Sequence, residues 1–156
     1  MLNNRTFRCF AAAALLSLVV GCSESSNATA SATPVDPAGV WTFAFKNTRA
    51  TGVCASENGD ESTETITITK TGKGEPYTIV AAGFLGLAAN QLTGTFASNK
   101  LTLQGSYGED GGTTTTKHTL TATSATNMAG TEDWSWTGAG GSCPNSAASV
   151  TATRVS

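Results

Sequence analysis

Between Gly39 and Arg154 the apolar side chains recur at every second position, in one short segment after another. Trp41, Phe43 and Phe45 alternate with Thr42, Ala44 and Lys46, and Ile66 and Ile68 alternate with threonines. Successive residues of a strand point to opposite faces, so a period of two marks a half-buried β-strand and excludes the three-to-four spacing of an amphipathic helix. Threonine is abundant throughout. Its branched β-carbon favours the pleated sheet and disfavours helix.

Eight segments obey this rule. The first starts at Gly39, the second runs Thr63 to Lys70, and the third Tyr77 to Ala81. Leu92 to Phe96 and Leu101 to Tyr107 form a hairpin around Ser98-Asn99; a two-residue turn with Asn99 at positive φ sets Phe96 opposite Leu101 and Gly94 opposite Leu103. Thr113 to Thr123, Met128 to Thr137 and Ala148 to Arg154 complete the set. Glycine-rich turns fall at Thr71 to Glu75, Gly108 to Gly112 and Gly138 to Pro144, the last holding Cys143. Two connections are longer. One carries Cys54 and the acidic Glu57, Asp60, Glu61 and Glu64; its spacing matches no EF-hand, so it reads as a solvated loop. The other, Ala82 to Asn90, holds Phe84, Leu85 and Leu87 and is too apolar for a free loop. It is either a short strand or cap closing one barrel end, or a mobile lid over a ligand mouth.

An unbroken meander of eight strands curls and closes, because closure removes the exposed edges. The predicted fold is therefore all-β: an eight-stranded antiparallel up-and-down β-barrel, closed by pairing of the first and last strands. Opposite residues of an antiparallel pair have numbers of constant sum. Trp41 and Arg154 give 195, while Cys54 and Cys143 give 197. The two agree within about one bulge, so a Cys54–Cys143 disulfide is expected at the far end of the closing seam. With one histidine in the chain, a zinc site on these cysteines is not expected, nor any other metal or cofactor.

Residues 1–21 resemble the signal peptide of a bacterial lipoprotein. Arg5 and Arg8 give a positive start, and Phe10 to Val20 form an apolar run too short for roughly 30 Å of hydrocarbon. Leu18-Val19-Val20-Gly21-Cys22 looks like a lipobox. The resemblance implies lipidation of Cys22, with thioether-linked diacylglyceryl and N-acyl chains, and so a partner in the membrane. Ser23 after the cysteine leans toward the outer membrane, facing the periplasm or cell surface. Residues 22–37 then form the lipidated cysteine and a tether of small polar residues. Residues 38–156 form the barrel domain, expected as a monomer.

Gly39-Val40-Trp41 at the start of the first strand and Arg154 near the end of the last resemble the signature of lipocalin-like, or more broadly calycin-like, barrels. In those families a basic side chain packs over the tryptophan at the closed end, by cation–π contact. The resemblance implies a barrel that holds one small apolar ligand or fills with side chains. Large inward residues such as Phe43, Phe45 and Phe96 could fill it, while Gly94, Gly105, Ala122, Gly130 and Ala152 could leave space. The alternative is an envelope interaction or inhibitor protein with a filled core, similar to lipidated inhibitors of proteases or lysozyme. Net charge of −2 gives no basic surface for nucleic acid. An enzyme is not expected: a histidine-based triad must use His118, no G-x-S-x-G elbow accompanies it, and Glu132 has no evident carboxylate partner.

The candidate ligand-binding residues are Phe84, His118, Glu132, Trp134 and Trp136. Across the hairpin of the sixth and seventh strands, a loop of Ser124 to Thr126 sets His118 opposite Glu132 on the apolar face. Such a pair is either structural and self-satisfying, or a polar anchor for a ligand headgroup. An ionised pair would raise the histidine pKa and depress that of the glutamate.

Overall fold

The computed structural model describes residues 35–155. Eight antiparallel strands form a closed up-and-down barrel: β1 Gly39–Arg49, β2 Glu61–Thr71, β3 Tyr77–Ala82, β4 Gln91–Ala97, β5 Lys100–Glu109, β6 Gly112–Ser124, β7 Asn127–Gly138 and β8 Gly141–Arg154. Each strand pairs with the next, and β1 pairs with β8. The seam has the expected register. Trp41 lies opposite Arg154, and a bulge after Asn47 shifts the ladder by one residue. Beyond that bulge Cys54 and Cys143 form the disulfide, with Cα atoms 5.6 Å apart. The β4–β5 turn places Phe96 opposite Leu101 as expected. Both Ser98 and Asn99 take positive φ, the conformation that matches the twist of a two-residue hairpin.

Two strands start earlier than the apolar alternation indicates. β2 begins at Glu61, so Glu61 belongs to a strand rather than to a solvated loop, while Glu64 lies inside the expected Thr63 to Lys70 strand; Lys46 stands opposite Glu61 and Phe43 opposite Glu64. β8 begins at Gly141, so Cys143 lies in a strand and not in a turn. There Pro144 and Asn145, the latter at φ 53, interrupt the pattern, and a register shift between Trp134 and Trp136 absorbs them.

The half of the barrel holding the start of β1 is filled. Trp41, Ile79, Leu92, Phe96 and Leu101 are each fully buried there. The inward glycines do not open space. A Cβ on Gly94 would lie 1.8 Å from the Thr102 carbonyl oxygen, and one on Gly130 would lie 2.0 Å from that of Thr119. Neighbouring backbone occupies the room that a missing side chain frees.

A strap, Val35 to Ala38, seals this end. The Trp41 indole N–H donates to the Pro37 carbonyl at 2.9 Å, and the Val35 amide donates to Asn99 Oδ1 at 3.2 Å. The Arg154 guanidinium donates to the carbonyls of Asp36 and Ala38. It also lies 5.4 Å from the Trp41 ring, the cation–π contact expected of that pair. Gly39, at φ 137, lets the strap turn into β1 in a conformation that side chains resist.

Candidate functional site

The opposite end carries the long connections: a 3-10 turn at Gly52–Glu57, a shorter one at Phe84–Gly86, and the tips of the β5–β6 and β7–β8 hairpins. A cavity of about 540 Å³ opens among them. The inward series of the strands explains its character. On β2, Ile68 and Ile66 give way to Glu64; on β5, Leu101 and Leu103 give way to Tyr107 and Glu109; on β7, Met128 gives way to Glu132, Trp134 and Trp136. Side chains alternate along the whole strand, so the inner face continues past the apolar core into a polar, aromatic mouth.

The segment after β3 forms a cap. Gly83, at φ 111, turns the chain inward where a Cβ would lie 2.7 Å from the Thr65 carbonyl oxygen. Phe84 then enters the barrel and is buried, stacked on Tyr107 with centroids 6.0 Å apart. Leu85 takes φ 57, an unusual value for a branched side chain, and its amide donates to Glu64 Oε2 at 3.0 Å. Leu85 and Leu87 stay exposed on the rim.

Beneath Phe84 lies the His118–Glu132 pair, opposite one another across β6 and β7 as the residue spacing predicts. His118 is fully buried, and the rings of Phe43, Phe45 and Phe84 surround it. Its Nε2 stands 3.6 Å from Glu132 Oε1, beyond hydrogen-bond reach. Thr116 bridges the two. Its hydroxyl donates to Glu132 Oε1 at 2.5 Å and sits 3.3 Å from His118 Nε2. While the hydroxyl proton goes to Glu132, only a ring protonated at Nε2 can hydrogen-bond to the threonine oxygen; Nδ1 has no partner among the described residues.

The expected ionised pair is overturned. Burial holds the His118 pKa down to about 4, and burial lifts Glu132 to about 7, with the Thr116 hydrogen bond opposing and Glu64, Glu109 and Asp133 adding to the rise. Both groups are therefore neutral in mildly acid water. At 3.6 Å without a direct hydrogen bond, attraction between the charged forms does not repay the loss of water.

Of the five candidate residues, Phe84, Glu132, Trp134 and Trp136 line the cavity, whereas His118 is sealed behind Phe84 and does not. The Trp136 indole N–H donates to the Glu109 carbonyl at 2.9 Å, which fixes that ring on the rim. Glu64, Tyr107, Glu109 and Thr116 are site residues that the alternation did not single out. The signal was present as parity: Glu64 stands two residues before Ile66, and Glu109 two after Tyr107.

The carboxylates crowd one another. Burial lifts Glu57, with Asp60, Glu109 and Asp110 adding to the effect, and burial lifts Glu64 against the pull of the Leu85 amide. The Tyr107 phenol is pushed up by burial and by Glu132, Glu109 and Glu64. Among the described residues no three His, Cys, Asp or Glu side chains come together closely enough to hold a metal ion. The arrangement can stack a flat apolar group, accept hydrogen bonds and attract positive charge. Cys22 and the rest of the anchor sequence lie outside the described residues. No protein-family model, curated protein or solved structure matches the chain.

Proposed function

We propose that the chain is a lipid-anchored envelope protein whose lipocalin-like barrel binds a small molecule with an apolar body at its open end. The observation that carries this reading is the cavity of about 540 Å³ walled by Phe84, Tyr107, Trp134 and Trp136. Ligand pockets span roughly 300–1,000 Å³ and owe most of their affinity to such aromatic walls. The filled lower half suits either a binding barrel or an inhibitor with a packed core. The open upper half favours binding, because a protein using only its outer loops has no need of an aromatic-lined interior. Support for the anchor is the arrangement of Arg5, Arg8, the apolar run and Gly21-Cys22.

Titration with the neutral dye Nile red tests the binding reading. Emission should rise and shift to the blue with a one-to-one end point, and Trp134→Ala should weaken binding several-fold without changing the unfolding midpoint by more than a few degrees. Equal affinity in Trp134→Ala and wild type would remove the cavity as the site.

A further inference from the structure

Seven of the chain's eleven Asp and Glu residues line the cavity, and no Lys, Arg or His among the described residues does. With a net charge of only −2 over the whole chain, this concentration is a matter of placement and not of composition. Lys46 pairs with Glu61 at 2.8 Å, both side chains being largely exposed, which leaves six carboxyl groups without a basic partner among the described residues. Glu132 lies deepest. Its side chain is 10% exposed and lines the cavity; Oε1 takes the Thr116 hydroxyl, and Oε2 has no hydrogen bond from the described residues. A carboxyl group in such a position costs free energy unless something positive or hydrogen-bonding meets it.

We infer that the ligand is an organic cation, an ammonium group carried on an apolar body, with the ammonium directed to Glu132, Glu64 and Glu109 and the body held by the aromatic walls. The inference rests on the binding reading above and adds the charge of the ligand. Two observations separate an organic cation from a metal ion. The acidic side chains are spread around the mouth and nowhere gather as a three-ligand cluster. The same wall carries Phe45, Phe84, Tyr107, Trp134 and Trp136. Ring faces attract ammonium groups and pack methylene or aryl carbon, but they do not coordinate metals. Burial is the main cause of the upward push on Glu57, Glu64 and Tyr107, and neighbouring carboxyl groups add to it. A bound cation would offset the part of that push that comes from neighbouring carboxyl groups.

The test uses three probes of one shape: 2-phenylethylammonium, 2-phenylethanol and phenylacetate, titrated calorimetrically into the full, oxidised chain near neutral pH. The ammonium should bind at least tenfold more tightly than the alcohol, and phenylacetate more weakly than either. In Glu132→Gln and Glu109→Gln the ammonium should lose several-fold in affinity while the alcohol stays unchanged, which also shows that the variants remain folded. Equal binding of ammonium and alcohol overturns the inference and leaves the binding reading standing. A matching loss for both probes in the variants overturns it as well, since the carboxyl groups would then act through shape alone. Binding of none of the three overturns both readings.

Discussion

Glu132→Gln removes the group whose proton balances that of His118, and the consequence can be worked from their positions. The folded pKa of His118 is depressed, from 6.5 to about 4. Its contribution to stability is therefore fully present above 6.5 and is lost as pH falls toward 4. The folded pKa of Glu132 is raised, from 4.5 to about 7. Its contribution is fully present below 4.5 and is lost as pH rises through 7. Between pH 4.5 and 6.5 the two slopes have equal size and opposite sign, so the pair leaves the wild-type protein's stability flat. Glu132→Gln exposes the histidine slope, and one pKa unit is worth about 1.4 kcal/mol. Relative to wild type the variant should lose about 2 kcal/mol on going from pH 6.5 to 4.5, read from urea unfolding followed by tryptophan fluorescence. Proton counting does not say which partner holds the proton, but NMR does. His118 is the only histidine in the chain, so its imidazole nitrogen shifts need no assignment by mutation. At pH 5.5 the ring should be neutral, with only about a few per cent protonated. A protonated ring at that pH would restore the ionised pair and refute the argument from burial. A gap between the two proteins that did not change with pH would show that Glu132 is not shifted.

Other positions give independent checks. Cys54 and Cys143 stand 89 residues apart, and replacing both by serine should cost about 4–5 kcal/mol in the chain-entropy model, measured as a fall in the urea midpoint; an unmoved midpoint would contradict it. Gly130→Ala should cost about 1–3 kcal/mol or more because its Cβ would strike the β6 backbone, while Gly140→Ala, with open space around it, should be near neutral in the same thermal melts. Arg154→Ala removes the contact over Trp41 and two hydrogen bonds to the strap, and should cost about 1–3 kcal/mol, with faster amide exchange at Val35 and Ala38 as the local readout. Cys22→Ser should abolish palmitate labelling and membrane retention; equal label in variant and wild type would dispose of the lipoprotein reading.

The register of the barrel was legible because three local signals agreed. Period-two alternation gave each strand its inner face, Ser98-Asn99 fixed one hairpin, and the matching sums at Trp41–Arg154 and Cys54–Cys143 fixed the seam. The mouth was less legible because its inner face is not apolar. Glu61 and Glu64 carry no hydrophobic signal, so a strand that continues into a wet cavity looks like a loop that has left the sheet. The His118–Glu132 pairing follows from counting residues across a turn, but its charge state depends on depth. The three phenylalanine rings that bury His118 come from β1 and from the cap after β3, and spacing along β6 carries no trace of them. Phe84 itself stood out as an apolar residue in a connection, yet its inward turn depends on Gly83 and on the carboxylate that holds the Leu85 amide.

The two ends of the domain meet at the sealed face: the Val35 amide reaches Asn99, and the Val155 amide donates to the Val40 carbonyl at 2.8 Å. A closed ring of strands has no privileged first member, so the order in which the chain threads it is a matter of where the ring is cut. Here the cut lies on the far side from the opening, and all four connections that shape the rim are uninterrupted chain. A linker from Val155 back to Val35, with a new break at Ala125-Thr126, would move the cut to another place on the same face and leave every cavity residue on its own strand or rim connection. Val35 and Val155, the outermost described residues of the domain, thus both leave it at the base, on the pole away from the entrance.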